Sequence, residues 1–161
     1  MAYTRKWTAK RTRPKDRTCY ETAVYLLQFR DQSEKDLTRK LKEREYTEKE
    51  IEEAMERLRD YEYVNDEDLA DELFEAYRRR AQYGDAYIHQ KLKLKGLATE
   101  KHLQLEEEIE MAAALLQKKW GMSPKLRTDF KKSASFLLRR GFSHDAVMTV
   151  MHEMDLEEIE E

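Results

Sequence analysis

The sequence is short of the residues that break helices and build turns: its 161 residues include 4 glycines and 2 prolines. A β-sandwich or barrel needs a turn every few residues, so this scarcity excludes both. A single cysteine, Cys19, excludes an internal disulfide and leaves no second thiol to share a zinc ion. No apolar run approaches the ~18 residues of a membrane span, so no membrane partner is expected. The basic residues at the start have no apolar stretch behind them, so a secretory signal is not expected either. Together these absences describe a cytoplasmic protein in a reducing compartment.

What is present in quantity is charge. Forty per cent of the residues are Asp, Glu, Lys or Arg and 40% are apolar, a balance that suits well-solvated helices. The net charge of −3 conceals large local swings. Residues 1–17 carry seven bases against one acid, whereas residues 43–75 carry four bases against fifteen acids. Residues 76–101 (seven bases, two acids) and 118–140 (eight bases, one acid) are again basic, and residues 141–161 carry seven acids and no Lys or Arg. Blocks of this size steer charged partners and say nothing about fold.

Periodicity organises the rest. Residues 1–16 have neither a helical nor a strand period and are expected to form a disordered basic arm. Tyr20, Val24 and Leu27 then fall at helical spacing. Ser33 with Asp36 caps a second helix bearing Leu37 and Leu41, and Thr47 with Glu50 is a capping box opening a third with Ile51, Met55 and Leu58 on one face. Asn65, followed by three acids, opens a fourth helix along Leu69, Leu73, Ala76 and Tyr77 to about Arg80. Gly84 and Asp85 start a fifth, with Ile88 and Leu92, which Gly96 closes. Thr99 is expected to begin the next helical stretch, running through Leu103, Ile109, Ala112, Leu116 and Trp120 either as two helices meeting near residue 107 or as one. Ser123 and Pro124 open a helix burying Phe130, Ala134, Leu137 and Leu138. Gly141 ends it, and Ser143 caps a last helix with Val147, Val150, Met151 and Met154 before an acidic tail frays.

Superposing the chain on itself aligns Tyr46, Leu97 and Phe142, with Leu41, Leu92 and Leu137 five residues earlier and Thr47, Ala98 and Ser143 one later. The intervals of 51 and 45 residues fit a three-helix unit used three times, each too small to bury its apolar face alone. The expected fold is therefore all-α, with three tandem three-helix repeats stacked into a curved, elongated right-handed array. Its boundaries are the arm at 1–16, repeats at 17–62, 63–107 and 108–155, and an acidic tail at 156–161.

No constellation for catalysis is visible. His89, His102, His144 and His152 have no neighbour at metal-ligand spacing, and no phosphate-binding glycine loop or nucleophile elbow occurs, so no enzyme activity, cofactor or metal is expected. The Asn65–Asp68 cluster lacks the glycine and distal glutamate of a calcium loop and reads as a cap. Cys19 reads as a small buried filler. Basic residues gather instead at helix C-termini. Lys40 and Lys42; Arg78, Arg79 and Arg80; Lys91, Lys93 and Lys95; and Arg139 and Arg140 are the ten candidates, and Lys118 and Lys119 end a further helix. Helix dipoles explain any one cluster. Their recurrence at equivalent ends suggests a row at one rim that meets phosphates or acidic side chains. Tyr25, Phe29, Tyr46, Tyr61, Tyr63, Phe74, Tyr77, Tyr83 and Tyr87 offer stacking faces wherever they share a basic face, although the spacing of most fits helix packing better.

From residue 18 to 154 the order of motifs resembles the RecX family. Ala23, Leu26, Leu27, Arg30, Ser33, Leu37, Lys40 and Leu41 are similar to its opening pattern. Tyr63, Val64, Asn65, Asp66 and Ala70, then Gly84, Ile88, Leu92, Lys95, Gly96 and Leu97, are similar to its second, and Leu137, Arg140, Gly141 and Phe142 to its third. Glu45 and Glu62 stand where the family tends to have glycine, so the turn at Glu45 is expected to adopt another geometry, and the stretch between Gly96 and Gly121 is shorter than the family pattern. The resemblance implies a monomeric, non-enzymatic regulator, mainly an inhibitor, of the RecA recombinase. It would bind RecA and its nucleoprotein filament through the ten basic residues above and modulate recombinase, ATPase and co-protease activity in DNA repair and the SOS response. The residues alone leave open a helical DNA-binding module with weak affinity for single- or double-stranded DNA, or a scaffold for another protein.

Overall fold

The computed structural model describes residues 16–160, with side chains to residue 155; the basic arm expected over 1–16, apart from its last residue, and the side chains of the acidic tail lie outside them. The described residues form α1 (Cys19–Leu27), α2 (Glu34–Glu43), α3 (Glu48–Asp60), α4 (Asp66–Arg80), α5 (Asp85–Leu94), α6 (Leu105–Met122), α7 (Phe130–Arg139) and α8 (His144–Glu160), with a 3-10 turn at Pro124–Thr128 and no strand. No helix among them is long and apolar enough to cross a membrane. The chain divides into two compact units between Leu69 and Ala70, within α4.

In the first unit α1, α2 and α3 enclose Ala23, Leu37, Leu41 and Leu58, all fully buried, with Cys19 beside them. Both capping boxes form: Thr18 with Glu21, and Thr47 with Glu50. Tyr46 ties the loop after α2 to α1, its hydroxyl bonded to Thr22 at 2.7 Å and donating to the Arg17 carbonyl at 3.0 Å. The first amide of α2, on Glu34, donates to Asp66 Oδ1 at 3.0 Å. Partial burial raises the Asp66 carboxyl above its ordinary range, with the Glu34 amide opposing.

The second unit is built on Phe74, Ile88, Leu92, Leu116, Leu137, Val147 and Val150, each buried to 1% exposure or less. Within it, the N-terminus of α5 lies against the chain following α7. Gly84 N–H donates to the Arg140 carbonyl at 2.8 Å, and a Cβ on Gly84 would sit 2.3 Å from the backbone of Gly141. Gly141, at φ +85°, faces Tyr87 equally closely, with 2.4 Å from its Cβ position to that of Tyr87. Glu108 of α6, 4% exposed, closes this seam: its carboxylate accepts from Asp85 N–H at 2.9 Å and from Ser143 N–H at 3.2 Å. A buried carboxylate is tolerated there because it meets the unpaired amides at the starts of α5 and α8.

The repeat found in the sequence is a repeat of helix termini. Tyr46, Leu97 and Phe142 each donate their amide to the carbonyl five residues back, on Leu41, Leu92 and Leu137, at 3.3, 2.9 and 3.4 Å. The residues before them, Glu45, Gly96 and Gly141, have φ of 67°, 72° and 85°. These are Schellman terminations. Glu45 therefore adopts the left-handed geometry that its missing glycine argued against, and the buried Tyr46 ring just beyond it accounts for the ~1 kcal/mol of strain being overridden.

Four other local expectations give way to tertiary contacts. The buried stripe of α4 is Ala70 and Phe74, with Leu69, Leu73, Ala76 and Tyr77 half-buried beside it. No helix starts at Thr99, whose hydroxyl donates to Asp71 at 2.6 Å instead of capping. Asp85 takes the Leu103 amide at 2.7 Å, so the chain stays irregular over 97–104, and α6 starts at Leu105 and continues unbroken past residue 107. Ser123 makes no side-chain cap, and Pro124 opens only the 3-10 turn. Asp129, accepting from Lys132 N–H at 3.0 Å, starts α7 five residues later; that amide bond holds its carboxyl below the usual range. Starting there turns Phe130 and Leu138 outward, both 45% exposed, and puts Ser133 inside.

The seam has no room for a methyl group on either glycine. Gly84→Ala is expected to lower the unfolding free energy of the protein by about 2–3 kcal/mol, read by urea denaturation, because the obstacle is backbone. Glu108→Ala, which strands two buried amides, is expected to cost about 3 kcal/mol. A loss below about 1 kcal/mol in both variants would contradict the seam.

A candidate basic and aromatic interface

In the second unit the ends of α4 and α7 and the outer face of α5 bring tyrosines and cations together. Left-handed Ala81, at φ 51°, turns the chain sharply after α4 and carries Tyr83 back beside Tyr87, one turn into α5. The two rings stack at 3.9 Å with 7° between planes, and Tyr77 of α4 meets both edge-on at 6.3 and 6.4 Å. Each exposed ring face then carries a cation. The Arg140 guanidinium lies 5.3 Å from the centroid of Tyr83 and 5.1 Å from that of Phe136, and it donates to the Gln82 carbonyl at 3.2 Å. Lys91 lies 5.2 Å over Tyr87, Arg80 6.0 Å over Tyr77, and Lys119 5.5 Å over Phe136. At such sites a cation–π contact contributes about 0.5–1 kcal/mol, enough to hold a long side chain in place with its charge at the surface.

The arrangement suits a partner with repeated negative charge. Held over the rings, the cations keep donors for phosphate or carboxylate oxygens. The tyrosines do less than a base-stacking platform would, because Tyr83 and Tyr87 already cover one face of each other.

Ten basic residues were candidates, and the structure sorts them. Arg80, Lys91 and Arg140 join this patch. Arg79, Lys93 and Arg139 are exposed at the same helix ends, and Lys95 is half-buried. Arg78 is committed inward: it bonds Glu75 at 3.0 Å and the His102 carbonyl at 3.1 Å, with its Nε 3.3 Å from Glu107. Glu75, also bound to Lys101 at 3.0 Å, is pulled below the usual carboxylate range by that bond first and by Arg78. In the first unit Lys40 bonds Gln32, and Lys42 lies 3.7 Å from Glu48. Lys119, a helix-end cation already visible in the sequence, joins the patch over Phe136, a ring the sequence did not single out; only the helical phase of α7, set by Leu137 facing inward, would have found it.

The fold brings together two histidines that have no neighbour at metal-ligand spacing in the sequence. His89 and His102, thirteen residues apart, stack at 4.5 Å and share the carboxylate of Asp85.

Comparison with known proteins gives a consistent result. The family model described as RecX, first three-helix domain, matches residues 19–58, and that described as RecX, third three-helix domain, matches residues 106–151. A regulatory protein RecX of Actinobacillus pleuropneumoniae serotype 5b is 34% identical over 140 residues, covering 80% of this chain and 87% of the relative. One from Haemophilus ducreyi is 31% identical over 150 residues, covering 88% and 94%. The crystal structure of RecX from Lactobacillus salivarius superposes with a TM-score of 0.74 at 25% identity, over 86% of this chain and 95% of that one.

Replacing Arg80, Lys91 and Arg140 together by Gln is expected to shift elution from a heparin column to clearly lower salt, while Lys40→Gln with Lys42→Gln moves it less. Equal shifts for the two sets would mean that net charge, and not the patch, governs polyanion binding.

Proposed function

The chain belongs to the RecX family of regulatory proteins, and from this premise we propose that it regulates the RecA recombinase, mainly as an inhibitor. In this reading it binds the RecA–DNA nucleoprotein filament and restrains recombinase, ATPase and co-protease activity in DNA repair and the SOS response, in the cytoplasm and without a catalytic step of its own. The observation that carries the reading furthest is the patch of Arg80, Lys91 and Arg140 over Tyr77, Tyr83 and Tyr87. A nucleoprotein filament presents phosphates and acidic side chains at regular spacing along its length. A ring-anchored set of cations meets that chemistry with little side-chain entropy left to lose.

Tandem helical units suit an extended partner better than a small one, because each adds surface without forming a deep pocket. The acidic stretch at 43–75 repels DNA phosphates, whereas the cations of the patch attract them. Binding to naked DNA through the same patch is the second reading, and the salt dependence of a cation cluster favours it wherever RecA makes no difference.

The two readings separate in one assay. RecA's single-stranded-DNA-dependent ATP hydrolysis is measured with substoichiometric purified protein, beside binding to bare DNA in the same buffer. Filament regulation gives inhibition well beyond DNA competition, weakened about tenfold or more in the Arg80, Lys91 and Arg140 triple Gln variant, a loss of ~1.4 kcal/mol. Unchanged hydrolysis with salt-sensitive DNA binding would leave a DNA-binding module.

A further inference from the structure

Residues 97–104 run irregularly between α5 and α6, and their attachment to the first turns of α5 is unusually polar. Asp85, the first residue of α5, and His89, one turn on, face the same side. His102 comes to them from the irregular segment. Its Nδ1 lies 2.8 Å from Asp85 Oδ2, and His89 Nε2 lies 3.5 Å from the same oxygen. One ligating atom from each of the three residues falls within 4.8 Å of the others, the sole such group among the described residues.

Two imidazoles and a carboxylate are the donor set of open zinc sites. Metal–ligand bonds of about 2.0–2.1 Å in a tetrahedral site separate neighbouring donors by about 3.3 Å, and the distances of 2.8 and 3.5 Å to Asp85 Oδ2 bracket that value. The surroundings already orient two of the three ligands. Asp85 Oδ1 accepts the Leu103 amide at 2.7 Å, which aims Oδ2 at the histidines. The His89 ring packs at 5.8 Å against the fully buried Phe74. Outer contacts of this kind hold metal ligands in place. His102, whose side chain is 60% exposed, is the movable ligand: binding turns it from its stack on His89 until Nδ1 points at the ion. His89 Nε2 exchanges the Lys101 carbonyl, 3.0 Å away, for the metal.

We propose that Asp85, His89 and His102 bind a divalent transition ion of the zinc class, which clips segment 97–104 onto α5. Three protein ligands leave a fourth position for water. The N-terminal end of the α5 dipole opposes a cation, so the site is a moderate binder that responds to free metal concentration, not a permanent structural centre. The clip lies in the same unit as the tyrosine patch, on the helix that carries Tyr87 and Lys91.

The test uses the full-length chain without a histidine tag. Calorimetric titration with Zn2+ is expected to show one ion per chain, and Co2+ to give the intense visible absorption of a tetrahedral site. Zn2+ is also expected to slow amide exchange over 97–104. His102→Gln, at an exposed position, is expected to leave the fold unchanged, weaken Zn2+ binding by ~10-fold or more and abolish the exchange protection. His89→Gln gives a second variant with the same loss. His144→Gln and His152→Gln leave binding at the wild-type level. Absence of stoichiometric binding, or binding that survives both His102→Gln and His89→Gln, would overturn the site.

Discussion

Much of the second unit depends on one buried carboxylate. Glu108 accepts the first amide of α5 and the Ser143 amide before α8, and between those bonds Gly84 and Gly141 approach so closely that neither has space for a side chain. The arrangement resolves two problems at once. Helix N-termini leave amides without intrahelical partners, and a carboxylate taken out of water needs donors. Each satisfies the other, and the cost of burying Glu108 becomes a constraint on how α5, α6 and α8 meet. The first unit uses the same device more lightly: Asp66 Oδ1 accepts the first amide of α2 at 3.0 Å, with its carboxyl pushed up by partial burial.

The seam also sets the surface. Because Gly84 is fixed against Gly141, Tyr83 and Tyr87 on either side of it are forced together, and Arg140, the residue before Gly141, lies over Tyr83. Asp85 divides its groups between the two faces of this corner. Its amide belongs to Glu108, and its carboxylate holds Leu103, His102 and His89. A change at the seam is therefore felt at the tyrosine patch and at the histidine cluster together, although neither is part of the core.

The elements most legible in the sequence were those written in local chemistry. Thr47 with Glu50, Ser33 with Asp36 and Asn65 with Asp68 all cap as their spacing requires. The leucine-to-bulky spacing of five that aligned the chain with itself is the hydrogen bond of a Schellman termination, which explains why the match falls at helix ends. Reading failed where a side chain had a better partner far along the chain. Thr99 looked like a cap and bonded Asp71; Glu45 looked unfit for a left-handed turn and was carried there by Tyr46; Arg78 looked like surface charge and was taken by Glu75, Glu107 and a carbonyl. The patch was half legible. Arg80, Lys91 and Arg140 stood out as cations at helix ends, but their shared tyrosines depend on a glycine contact between residues 84 and 141, and the pairing of His89 with His102 depends on the segment that failed to become a helix.

The central claim is that the second unit meets the filament through the patch which the seam assembles. The most direct measurement is amide hydrogen exchange of the protein, free and bound to RecA on single-stranded DNA, resolved to short peptides. The account requires new protection over the ends of α4, α5 and α7, around Arg80, Lys91 and Arg140, with little change in the acidic stretch at 43–75. Protection confined to the first unit, with the patch exchanging as in the free protein, would contradict it.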